Sequence, residues 1–119
     1  MGGLVLLALV AGPTVAQSAL GWVVPSKTGG GWALWANWDT FNTCARATIR
    51  GTPADQRMFC QDGVAGVKPR VGELAPGTLV ERLDSRTCRE MVTIRVGEGP
   101  LKGETGCISA NALTSTKPE

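Results

Sequence analysis

Hydrophobic and polar positions divide the chain into three stretches. No charged side chain precedes Lys27. Residues 4–10 (LVLLALV) form an unbroken apolar run, followed by Pro13 and the small-residue stretch Val15, Ala16, Gln17, Ser18 and Ala19. This layout predicts a secretory signal peptide over residues 1–19, cleaved after Ala16, Ser18 or Ala19. Its leading region carries only the terminal amine. Left uncleaved, the uncharged residues 4–24 come close to the ~20 needed to span a bilayer and would act as an anchor.

The second stretch, residues 20–43, holds three consecutive glycines at 29–31. It also holds Trp22, Trp32, Trp35, Trp38 and Phe41, leaving Phe59 as the lone aromatic residue beyond it. The glycine run predicts a linker. The aromatic positions fit a three-residue helical spacing and equally a strand-like alternation of Trp32, Leu34, Ala36 and Trp38. The stretch therefore reads as a linker or as a segment packed against residues 44–113.

From Cys44 onward a period of two dominates. Ala45, Ala47 and Ile49 alternate with Arg46, Thr48 and Arg50, which predicts a half-buried strand stopped at Gly51-Thr52-Pro53. Residues 54–70 are polar and contain glycine, a long excursion with Cys60 inside it. Further strands are predicted over 71–74 and 78–83, on either side of Ala75-Pro76-Gly77. Two more are predicted over 91–96, with Val92, Ile94 and Val96 inward, and over 103–108. Short strands separated by Gly/Pro turns predict an all-β fold, a small barrel over residues 44–113. Residues 114–119 form a polar tail expected to fray.

Composition narrows the functions. With 119 residues, 12 Lys and Arg against 10 Asp and Glu, and a net charge of +2, the chain lacks the strong basic bias of a nucleic-acid surface. An apolar fraction of 43% can form a core, which excludes a disordered chain. The absence of His removes the commonest general base and nearly every mixed Cys/His metal site. Carboxylate pairs such as Asp84 with Glu90, or Glu73 with Glu81, read as solvated charges on β surfaces rather than an acid and a base. The expectation is a protein without catalytic activity, metal or cofactor.

Cys44, Cys60, Cys88 and Cys107 match no CxxC metal or redox motif. In an exported domain they predict two disulfides, for which three connectivities exist. The working expectation is the pairing of sequence neighbours, Cys44 with Cys60 and Cys88 with Cys107.

Three segments resemble the bacterial SH3 domain family. Residues 47–53 (ATIRGTP) resemble its opening strand. Residues 71–80 (VGELAPGTLV) look like its second motif, a hydrophobic pair leading to a Gly-Thr turn. Residues 103–113 (GETGCISANAL) are similar to its closing strand and the short helical turn ending in Leu. Cys107 stands where that family usually has Trp, and Met91 or Val92 where Trp or Tyr is common. The resemblance implies an SH3-like barrel and a periplasmic or secreted, non-catalytic binding module whose ligand is peptidoglycan, a cell-wall peptide or a partner protein.

Aromatic side chains line the groove in that family. Here Trp32, Trp35 and Trp38 would have to supply it, unless they cover the core instead. Arg46 and Arg50, on the outward face of the predicted strand, are candidate partners for a ligand carboxylate, or solvated charges. A different class of function, a small disulfide-stabilised inhibitor of a secreted hydrolase, also suits an exported domain of this size.

Overall fold

The computed structural model describes residues 19–118. The segment expected to be a signal peptide lies outside the described residues, except for Ala19. In chain order the elements are β1 (Leu20–Val23), β2 (Trp32–Trp35), helix α1 (Trp38–Arg50) and helix α2 (Pro53–Arg57). A π-helical turn (Met58–Asp62) comes next, then β3 (Arg70–Leu74), β4 (Leu79–Arg82), β5 (Val92–Val96) and β6 (Thr105–Ile108). A 3-10 turn (Ala110–Ala112) leads into β7 (Leu113–Thr114).

The strands form one antiparallel sheet in the order β3-β2-β6-β5-β4-β1-β7. The mostly-β class matches the sequence expectation. The two ends of this order, β3 and β7, do not pair among the described residues, so the sheet is open rather than closed by hydrogen bonds into a barrel.

Each of the strands β1 to β6 contributes to one core. Val23, Leu34, Leu74, Val80, Ile94, Val96 and Ile108 are buried together, with Ala112 of the 3-10 turn. As predicted, β5 turns Ile94 and Val96 fully inward, with Val92 packed beside them. A second, smaller cluster joins Trp35, Cys88 and Cys107, with Phe41, Cys44 and Met91 packed against it. Between the two clusters β2 and β6 approach closely. A side chain at Gly106 would fall on the Trp35 carbonyl oxygen and the Leu34 side chain.

Three sequence expectations give way to the fold. Residues 20–31 are not a linker throughout: Leu20–Val23 form β1 between β4 and β7, and only 24–31 connect it to β2, which lies between β3 and β6. The glycines merely close the connection between them. Ser26 N–H donates to the Gly30 carbonyl, Gly29 N–H donates to the Ser26 carbonyl, and Gly29 adopts the positive φ that glycine tolerates. The tail begins later than residue 114, because Leu113 and Thr114 pair with Val23 and Trp22.

The largest correction concerns residues 45–50, which are helical. Asn37 caps α1 through a reciprocal pair: Thr40 N–H donates to Asn37 Oδ1 at 2.9 Å, and Asn37 N–H donates to Thr40 Oγ1 at 3.4 Å. Once the helix has started there, Ala45 and Ala47 are good helix formers, and the short alternation has no sheet neighbour to favour it. Ile49, expected inside, is 79% exposed. Pro53 does not end a strand but occupies the first turn of α2, behind a second capping box between Thr52 and Asp55. The segment resembling an SH3 opening strand is thus the end of α1 and the start of α2. The other two resembling segments fall on β3 to β4 and on β6 to β7, as strands.

Candidate functional site

The helical excursion between β2 and β3 is held to itself and to the sheet by covalent and polar ties. The Cys44–Cys60 disulfide joins α1 to the π-helical turn, and Cys88–Cys107 joins the turn before β5 to β6, which is the expected pairing. Two disulfides point to an oxidising, extracytoplasmic environment. Arg70, at the start of β3, reaches back to the excursion. Its Nε donates to the Cys60 carbonyl at 2.8 Å, and its guanidinium lies over the Trp35 ring at 5.3 Å.

The exposed large apolar side chains among the described residues all belong to this excursion: Ile49, Met58 (38%), Val64 (50%) and Val67 (65%). Met58, Val64 and Val67 line a mainly apolar cleft of about 280 Å³ with Thr40, Thr43, Phe59, Gly63 and Pro69, and with Asp39 as its one charged member. Residues 64–67 form a tight hairpin. Val64 and Val67 exchange both backbone hydrogen bonds, while Ala65 and Gly66 between them have positive φ, as a type I′ turn requires.

Around α1 the cleft gives way to cationic surface. Thr43 and Phe59 also line a shallower depression that holds Arg46, Arg50 and Asp55. On the other side of the Cys44–Cys60 disulfide lies a polar cleft of about 520 Å³, lined by Trp35, Thr48, Gln56, Arg57, Gln61 and Arg70. The ion pair among the described residues is Arg95 Nη1 with Glu81 Oε1 at 3.0 Å, on the strands. Arg46, Arg50, Arg57 and Arg70 have no carboxylate bound to them among those residues.

The structure separates the expected site residues. Trp32 packs on the main core and its indole Nε1 donates to the Val24 carbonyl at 2.9 Å. Trp35 is buried in the second cluster. Trp38 is half-buried under the Arg89 guanidinium, 4.4 Å from the ring centroid, beside a separate small cleft with Phe41 and Met91. The three form no common platform. Arg46 and Arg50 do lie together on the exposed side of α1, four residues apart as helix neighbours rather than strand neighbours.

Sequence reasoning missed Met58, Phe59, Val64 and Val67, and with them Arg57 and Arg70. The available signal was an apolar Met-Phe-Cys triplet and two valines inside a stretch otherwise polar.

No family model, curated protein or solved structure matches the chain. Its own geometry must therefore carry any functional reading. No helix among the described residues is long and apolar enough to cross a membrane.

Proposed function

We propose that this protein is an exported, non-catalytic binding module of SH3-like type. It would dock an apolar peptide segment, presented by the cell wall or by a partner protein, on the cleft between α1, the π-helical turn and the hairpin at 64–67. One observation carries the reading: three of the four exposed large apolar side chains among the described residues, Met58, Val64 and Val67, line one cleft on the excursion that Cys44–Cys60 staples, while the sheet buries its own. Soluble proteins rarely leave apolar side chains grouped on one face without a partner for it. The apolar run at residues 4–10 and the two disulfides support export.

Selection of a random displayed peptide library on the disulfide-bonded protein tests this, with sedimentation on purified peptidoglycan as a second arm. The expected result is a family of peptides sharing an apolar anchor, or retention on peptidoglycan. Either should weaken at least about tenfold in Val67→Asp, where a charge enters the apolar contact. Ligands that bind Val67→Asp as tightly as the parent, or no enrichment in either arm, would overturn the reading.

A further inference from the structure

The polar cleft on the sheet side of α1 has a chemistry of its own. Two guanidinium groups line it, and no carboxylate does. Asp55, the acid closest in sequence to Arg57, is turned away: its Oδ2 accepts the Thr52 N–H at 3.0 Å, and it borders the depression on the opposite side. Arg70 is oriented in advance. Its Nε is held by the Cys60 carbonyl and its Cζ lies over the Trp35 ring at 5.3 Å, while the Nη1/Nη2 end of the fork has no hydrogen-bond partner among the described residues.

Other polar groups in the lining are partly committed. Thr48 Oγ1 donates to the Cys44 carbonyl at 3.0 Å, and Gln56 Nε2 donates to the Thr48 carbonyl at 3.4 Å. Arg57, Gln61 and the outer end of Arg70 remain as donors. Trp35 and the disulfide supply apolar wall for a carbon skeleton.

We propose that this cleft is a carboxylate-binding site, with Arg70 as the fixed bidentate anchor and Arg57 and Gln61 closing around the ligand. A planar carboxylate matches the two parallel N–H groups at the end of a guanidinium. A fork already held by a hydrogen bond and lying over an aromatic ring loses little further freedom on binding. The site goes beyond the docking role proposed above and stands without it. The carboxylate comes either from a peptide or from a free small acid.

Nitrogen-15 NMR titration of the full, disulfide-bonded protein distinguishes these outcomes with three probes: acetyl-Leu-Ala with a free carboxylate, the same dipeptide as its carboxamide, and propionate. We expect saturable shifts at the Arg70 Nε–H and the Gln61 side-chain amide with the carboxylate peptide. The carboxamide should bind at least about tenfold more weakly, as loss of a charge-assisted pair demands. Arg57→Gln, at an exposed position, should weaken the carboxylate peptide while the rest of the spectrum is unchanged. Arg70→Lys, which keeps the charge without the fork, should weaken it further.

Binding of the peptide tighter than propionate supports the site and assigns it to a peptide carboxylate. Equal binding supports it and assigns a small free acid. Carboxamide binding as tight as carboxylate, or shifts confined to Met58, Val64 and Val67, would overturn the carboxylate site while leaving the apolar docking role intact.

Discussion

Trp35 touches both parts of the molecule. Its backbone pairs with Arg70 and Cys107 in the sheet, its ring meets Phe41 of α1 edge-on at 5.4 Å, and the Arg70 guanidinium lies on its face. A buried aromatic side chain in this position fixes the excursion relative to the strands, and so orients the clefts on either side of the disulfide. Ala65 shows the opposite case, a residue at odds with its backbone. Its φ of 55° lies in the left-handed region that a Cβ disfavours by about 1–2 kcal/mol. Ala65→Asn would place an Asn-Gly pair in the I′ turn that prefers it, and should stabilise the protein by about 0.5–1 kcal/mol in urea denaturation. A loss of stability would show that the hairpin at 64–67 is not the turn described.

At the scale of elements, the two disulfides should behave differently although their loops are similar, with sequence separations of 16 and 19. In the chain-entropy account each is worth about 3 kcal/mol. Cys88–Cys107 is buried in the second cluster, so Cys88→Ala with Cys107→Ala should lower global stability by at least that amount. Cys44–Cys60 ties helix to helical turn within the excursion. Its removal should raise hydrogen exchange in residues 38–62 before it lowers protection in β5 and β6. Uniform loss of protection in the second variant would contradict this division.

The strands from Val71 onward were legible because alternation and Gly/Pro turns act locally, and the core positions Ile94 and Val96 followed from the period of two. The helix α1 was not legible from residues 45–50 alone. Six residues in which Ala45, Ala47 and Ile49 alternate with Arg46, Thr48 and Arg50 are too few to decide between the two periods, and the deciding signal, the Asn37 and Thr40 cap, sits well upstream of the supposed strand. Pro53 misled for a related reason, since proline stops a strand and equally starts a helix. The strand β1 was hidden by the glycines that follow it, whereas the strand-like alternation from Trp32 holds over β2 and gives way to the helix at Trp38. The apolar cleft was invisible because Met58, Phe59, Val64 and Val67 come together only through the π-helical turn and the hairpin.

For the whole molecule, the sheet and the excursion divide the work. Residues 37–70 hold five of the cations and three of the carboxylates, which accounts for the full net charge of +2, and they hold the exposed apolar side chains as well. The sheet holds most of the fully buried ones. Recognition and stability should therefore be separable by mutation. The direct test is calorimetric titration of the selected apolar peptide into Val64→Ser/Val67→Ser, with thermal unfolding of the same sample. The expected result is an affinity reduced at least about tenfold and a Tm within about 6 °C of the parent, as two exposed substitutions of at most ~0.5 kcal/mol each allow. Parental affinity, or a Tm that falls together with binding, would contradict it.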